Sequence, residues 1–335
     1  MNRTKNILTD TFGREHTYLR ISLTERCNLR CTYCRPADGI PLLPKSHLMN
    51  FEEIYTIAKT FVNHGVTKIR LTGGEPLVRK DAHLILEKLA TLPVELAITT
   101  NAVTVDRFVD SFKKYGIETI NVSLDSLDPE KFKQITRRDY FRKVYANIML
   151  LIDYGFKVKL NTVLMKGFNE DEIVNFIKFT KGHPVTVRFI EFMPFDGNKW
   201  NLEKMVSYKD VMTSVNNGFS ENRVIRLQDA PNDTSKNYKI EGYLGSFAII
   251  SSVTNPFCDT CNRLRLTADG HLKNCLFSAA ESDLLTTLRD GKSIEPVIRK
   301  AVQLKLKMRG GMNTLEKLKN PELHEKNRSM ITIGG

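Results

Sequence analysis

At 335 residues the chain is long enough for one α/β barrel-like domain with a smaller unit, and at 41% apolar it can bury a sizeable core, which excludes a disordered protein. Its net charge of +12 invites nucleic acid as a partner, but the basic residues are spread along the chain and the densest run, 300–309, alternates with apolar residues as a helix face would, so a polyanionic small substrate explains the charge as well as sequence-specific nucleic-acid binding does. No apolar run reaches membrane-span length, Met1-Asn2-Arg3-Thr4-Lys5-Asn6 leads into no signal core, and six cysteines without an export signal point to metal in a reducing compartment, hence the cytoplasm.

In chain order, an apolar run at 18–23 leads into Glu25-Arg26-Cys27-Asn28-Leu29-Arg30-Cys31-Thr32-Tyr33-Cys34. Three thiols this close cannot all pair as disulfides. No fourth cysteine or histidine follows at zinc-finger distance, and His47 lies beyond a proline-rich loop. A structural zinc site takes four protein ligands. An iron–sulfur cubane normally takes four cysteines, so three leave one iron open to a ligand that is not protein. The plain alternative is three buried free cysteines packed as small hydrophobes.

Further β-branched runs follow at 67–72, 94–100, 119–124, 156–163 and 185–190, separated by helical spacing such as Phe51, Ile54, Ile57, Ala58 and Phe61. Six strand–helix units predict a parallel sheet, and fewer than eight predict an incomplete (βα)6 barrel open on one side. Functional groups then belong at the C-terminal strand ends. There stand Thr72-Gly73-Gly74-Glu75-Pro76, Thr99-Thr100-Asn101 and Asn121-Val122-Ser123-Leu124-Asp125. The glycines let the backbone approach a ligand closely, Glu75 can accept hydrogen bonds from an ammonium, and the hydroxyls and amides either line a pocket or cap helices. Arg20, Arg70, Lys159 and Arg188 lie within strands, where buried parallel sheets rarely carry charge. Converging on one cavity, they would hold a polyanion, because guanidinium matches phosphate in a planar fork.

Past Phe192-Met193-Pro194 the strand–helix rhythm fades, which places a domain boundary near residue 200, between units 1–200 and 201–335. The second unit carries Cys258, Cys261 and Cys275 in a C-x2-C-x13-C pattern. With His271 these could form a Cys3His zinc site. Asp269-Gly270, however, is a hairpin turn signal, and a structural zinc has no need of the alternating pair Arg263 and Arg265.

The C-x3-C-x2-C run with an aromatic before its last cysteine resembles the radical S-adenosylmethionine (SAM) superfamily. With the second triad and the terminal Ile333-Gly334-Gly335, the chain resembles the GTP 3′,8-cyclase (MoaA) family of molybdenum cofactor biosynthesis along essentially its whole length. The resemblance implies the partial barrel, an α+β extension closing its open side, and a 4Fe-4S cluster on each triad. SAM would chelate the open iron of the first cluster, and the guanine of GTP would meet that of the second. It further implies a lyase that abstracts the 3′ hydrogen of GTP and joins C3′ to C8, giving 3′,8-cyclo-7,8-dihydro-GTP. Tyr33, Gly73, Gly74, Glu75, Ser123 and Met193 fall on SAM positions, and Arg20, Arg70, Thr99, Lys159, Arg188, Arg263 and Arg265 on GTP positions. Arg20, Arg263, Arg265, Gly334 and Gly335 take catalytic places. The implied partners are cyclic pyranopterin monophosphate synthase (MoaC) downstream, an electron donor such as flavodoxin or ferredoxin, and a second copy in a homodimer.

Three departures stand out: Arg35 where many members have Met, a short 36–44 loop, and residues 310–330 without an obvious match. Two rival readings are a radical SAM peptide-modifying enzyme, which would need more C-terminal cysteines, and a non-catalytic metal-containing nucleic-acid-binding protein. The second explains neither Gly73-Gly74-Glu75-Pro76 nor the terminal glycines.

Overall fold

The structure, a computed structural model, describes residues 6–34 and 42–334; Arg35, most of the 36–44 loop and Gly335 lie outside the described residues. Among the described residues twelve strands form one sheet: β1 (Tyr18–Ser22), β2 (Lys68–Thr72), β3 (Glu95–Thr100), β4 (Thr119–Ser123), β5 (Lys157–Leu164), β6 (Thr186–Glu191), β7 (Val224–Arg226), β8 (Lys236–Ile240), β9 (Ser246–Ile250), β10 (Arg263–Leu266), β11 (His271–Lys273) and β12 (Ser282–Asp283). Their order is β12-β11-β10-β1-β2-β3-β4-β5-β6-β9-β8-β7. The outer strands β12 and β7 do not pair, so the sheet is not a closed barrel.

The six strands read from the sequence are parallel neighbours in chain order. Two more extend that parallel run, β9 beside β6 and β10 beside β1. Between them, residues 251–262 cross from one side of the sheet to the other, and this crossing carries Cys258 and Cys261.

Burial alternates strictly along β5 and β6. Val158, Leu160 and Leu164 pack under the helices, while Lys159 and Asn161 point to the other face. That period of two marks a concave face lined by polar groups rather than a sheet buried on both sides.

The helix Phe51–Asn63 shows how the outer layer is built. Asn50 and Glu53 cap its start reciprocally, each side chain accepting the other's backbone N–H at 2.8 Å. Ile54, Ile57, Ala58 and Phe61 then fall on one stripe and are fully buried, each large one contributing roughly 1.5–3 kcal/mol. Beyond residue 200 the polar stretch holds more order than its sequence suggests. The helix Tyr208–Gly218 starts at a Ser207–Asp210 capping box but buries only Val211 and Val215, too few apolar positions to show a period. A smaller core of Phe192, Trp200, Val253, Phe277, Met312 and Leu318 draws on both sides of residue 200 and packs against Tyr33, Met193 and Cys275. Among the described residues no helix is long and apolar enough to cross a membrane.

Candidate active site

The turn after β2 and the loop after β1 are pressed together. Gly74 and Glu75 donate their N–H groups to the carbonyls of Thr24 and Arg26 at 2.7 and 2.8 Å. A Cβ on Gly73 would stand 2.7 Å from the Thr24 oxygen, and one on Gly74 2.5 Å from the Arg26 oxygen. The close approach that needs glycine here is therefore to the cysteine loop itself. Glu75 differs from expectation in the same way. It is 1% exposed, and its carboxylate already accepts from Leu77 N–H (3.1 Å), Thr100 Oγ1 (2.8 Å) and Asn101 N–H (2.6 Å). These donors tie β2 to β3, and Oε2, which accepts from Asn101 N–H alone among them, keeps room for a further donor. Burial outweighs those donors and lifts its carboxyl to about 7.

Cys27, Cys31 and Cys34 form no disulfide, and burial, then the charges of Asp125 and the two neighbouring cysteines, push Cys31 well above the ordinary thiol value. Burial, with the Glu75 charge next, raises Cys27 to about 11. Leu29 N–H lies 3.4 Å from Cys27 Sγ and Asn101 Nδ2 3.7 Å from it. Tyr33 donates to Asp125 Oδ2 at 2.7 Å, close by Cys31. Asp125 also accepts from Val163 N–H, and burial lifts its carboxyl to about 6. Asp125 was visible as a strand-end acid; its pairing with Tyr33, 92 residues away, was not.

Register builds the cationic wall. Arg265, Arg20 and Arg70 stand side by side on β10, β1 and β2. Ser123, Asn161 and Arg188 form a second row on β4, β5 and β6. Arg265, Arg20, Asn161 and Arg188 of these rows line one cavity. Six residues lining it are Arg or Lys and none is Asp or Glu, which makes it an anion site. Arg20 Nε, Arg263 Nη2 and Asn121 Oδ1 are buried without a partner among the described residues. Burial, then neighbouring cations, depresses Arg20, Arg265 and Lys159 and brings Arg188 to about 9. Such a cluster is poised for a polyanion.

Thr99, Met193, Arg20, Arg188, Arg263 and Arg265 line this cavity. Arg70 and Lys159 stand outside its lining, and Arg70 is already engaged, donating to Tyr18 Oη at 2.5 Å and to the Ile98 carbonyl at 2.8 Å. Tyr18 went unnoticed in the sequence. Burial would raise its phenol, but Arg20, Arg70 and Lys68 bring it down to about 7.

Cys258, Cys261 and Cys275 line the same cavity from the crossing segment and the end of the β10–β11 hairpin, which turns at Asp269-Gly270. Burial would raise Cys261, yet the Lys305 and Arg263 charges lower it to about 6. Arg309 N–H lies 3.4 Å from Cys258 Sγ. His271, the fourth ligand of the zinc alternative, is not among the lining residues; its Nδ1 lies 3.2 Å from Asp269 Oδ2. Among the described residues no three His, Cys, Asp or Glu side chains are drawn up around a single ion. The donor chemistry fits a thiolate-bound group at both triads: three cysteines each, no disulfide, and backbone N–H groups aimed at sulfur.

The C-terminus returns to this site. The short helix Met330–Ile333 buries Ile331 and Ile333, and Gly334 presents its carbonyl to Arg265 Nη1. Gly334 has φ +80, and a Cβ there would meet Thr72 Oγ1 at 2.4 Å, so only glycine fits against the β1 and β2 ends. Two side chains clasp the approach. Arg328 bridges Asp269 (2.9 Å) and Glu281 (2.6 Å), and Asn327 accepts from the fully buried Lys273 Nζ at 3.0 Å.

Two family models match the chain, the Radical SAM superfamily over residues 21–180 and Molybdenum Cofactor Synthesis C over 185–310. It is 47% identical to "GTP 3′,8-cyclase, mitochondrial" of Arabidopsis thaliana, over 100% of this chain and 85% of that protein. It is 40% identical to "GTP 3′,8-cyclase" of Listeria monocytogenes, over 89% and 91%. Against "Molybdenum cofactor biosynthesis protein 1" of Drosophila melanogaster the identity is 49% over 91% of this chain and 55% of that protein. The chain thus spans about half the length of the animal relatives it matches. Among solved structures it resembles Streptococcus suis SuiB bound to S-adenosylmethionine, with TM-score 0.60 at 16% identity over 94% of this chain and 77% of that one, a likeness of fold alone.

Proposed function

This chain belongs to the GTP 3′,8-cyclase family of the radical SAM superfamily, and we propose that it converts GTP to 3′,8-cyclo-7,8-dihydro-GTP, the first step of molybdenum cofactor biosynthesis. The superfamily implies a 4Fe-4S cluster and S-adenosylmethionine; Cys27, Cys31 and Cys34 are the thiols to hold that cluster. When bound, the pair supplies the radical that removes the 3′ hydrogen of the substrate. Cys258, Cys261 and Cys275 would hold a second cluster facing the same cavity.

The observation that carries this reading is the cationic cavity walled by Cys258, Cys261 and Cys275, with buried guanidinium nitrogens on Arg20 and Arg263 left unpartnered. Arg20, Arg263 and Arg265 would fork the triphosphate, each charge-assisted hydrogen bond worth roughly 1.5–3 kcal/mol. Thr99, Asn121 and Asn161 offer hydroxyl and amide partners to the nucleoside. Tyr33 and Met193 pack against the same small core as Cys275, and with Ser123 at the end of β4 they would hold S-adenosylmethionine. Gly334 closes the cavity and, by holding Arg265, orients it; a small misplacement of such a group can cost about a hundredfold in rate. The reading carries with it a downstream cyclic pyranopterin monophosphate synthase and a low-potential electron donor such as flavodoxin or ferredoxin, with a homodimer as the assembly.

Anaerobically reconstituted protein, given GTP, S-adenosylmethionine and a reductant, should form 5′-deoxyadenosine and the cyclised nucleotide, followed by mass spectrometry. Equal turnover of ATP would overturn the assignment, since adenine presents an amine where guanine offers O6 and N1.

A further inference from the structure

Lys305 is 3% exposed, and among the described residues it pairs with no carboxylate. Its Nζ donates to the Arg263 carbonyl at 2.9 Å and lies 3.6 Å from Cys261 Sγ. Asp10, an acid on the same side, is taken up by Arg14 at 2.6 Å and His16 at 3.2 Å. Arg14 brings a second cation to the same loop, donating to the Cys258 carbonyl at 2.8 Å and the Lys307 carbonyl at 2.9 Å. An ammonium taken out of water costs several kcal/mol unless a countercharge meets it. The countercharge within reach is sulfur.

We propose that Lys305 is a positioning residue for the group held by Cys258, Cys261 and Cys275: its buried charge balances the anionic thiolate-bound cluster, retains it in the chain and raises its reduction potential. The inference rests on reading the second triad as a cluster site. Each electron added to a thiolate-bound cluster adds a negative charge, so a fixed cation at the sulfur favours the reduced form. Lys305 is not itself a lining residue of the cavity and meets it only from behind Cys261 and Arg263, which separates its role from that of the arginines.

The test uses the full chain with Cys27, Cys31 and Cys34 replaced by alanine, so that only the second triad reports. Iron, sulfide and zinc are measured, and the midpoint is read by a redox titration followed by electron paramagnetic resonance. Lys305→Met should lower the reduced-to-oxidised ratio at a fixed potential at least tenfold, a shift of about 59 mV for one electron, with Lys305→Arg staying near the parent. Should Lys305→Met lose the cluster outright, Lys305→Arg must keep it; loss from both variants overturns the proposal. A full iron content with an unchanged midpoint in Lys305→Met also overturns it and leaves the cluster reading standing. Stoichiometric zinc in the parent overturns both.

Discussion

Around Cys27, Cys31 and Cys34 the larger charge effects come from carboxylates, Glu75 and Asp125, whose own values burial lifts toward neutrality, with Arg30 a smaller opposing charge at Cys27. Around Cys258, Cys261 and Cys275 they come from Lys305, Arg263 and Arg309. The same three-thiol set is therefore placed in opposite fields. Anionic, desolvated surroundings disfavour added electrons, which suits a cluster whose task is to give one away. Cationic surroundings favour thiolate and welcome an anion, which suits a cluster whose neighbour is a nucleotide. Under the proposed function, the contrast agrees with electron delivery at the first triad and substrate holding at the second.

The largest effects should come from breaking each triad. Cys31→Ala should abolish cleavage of S-adenosylmethionine altogether. Cys275→Ala should leave uncoupled 5′-deoxyadenosine formation and remove the cyclised product. Iron should fall from about eight to about four per chain in either variant. Chromatography of both products decides the matter: normal cleavage in both variants would break the division of labour.

Among the cations the structure ranks what the sequence lists as equals. Arg20→Ala and Arg263→Ala remove cavity-lining groups with unpartnered buried nitrogens and should each weaken GTP binding by about 10- to 150-fold. Arg70→Ala should weaken it less and lower the melting temperature instead, because that guanidinium already serves Tyr18 and the Ile98 carbonyl. Calorimetric titration with GTP, set beside thermal melts, separates the two classes; equal losses at all three positions would flatten the distinction.

The tail clasp belongs to the second region alone. Arg328→Gln removes the bridge to Asp269 and Glu281 and should lower cyclisation severalfold, about 1 kcal/mol in coupling for a part-exposed bridge, while S-adenosylmethionine cleavage and iron content stay as they are. Faster proteolysis near residue 328 would accompany it. Unchanged proteolysis with unchanged cyclisation would show the tail to be held by its apolar contacts.

The smallest effect concerns His271. The hydrogen bond and charge of Asp269 raise its imidazole above the ordinary value, against burial. A raised value in the folded state means that its stabilisation is complete below about pH 6.5 and is lost as pH rises through the folded value. His271→Gln should therefore destabilise the chain more at pH 6 than at pH 9, by under about 1 kcal/mol, read from anaerobic melts at the two pH values. A gap that does not narrow with pH would remove the ion pair from the account of this hairpin.

The sequence by itself determined what depends on near neighbours along the chain. Strands such as those at 18–23 and 156–163 follow from short apolar, β-branched runs, and the two triads from spacing, because both are properties of a few consecutive residues. The row Arg265–Arg20–Arg70 was legible only as separate arginines in strands; parallel register made it a wall. Only the tertiary structure decided that Glu75 faces inward, that β9 and β10 join opposite sides of the parallel run, and that residues 251–262 carry two cysteines across the open side. It alone brought Arg14 to Cys258, 244 residues away, and Lys305 to Cys261. Strand partners and charge neighbourhoods are set by long-range packing, which local spacing does not encode, and here that packing is what makes two similar triads chemically different.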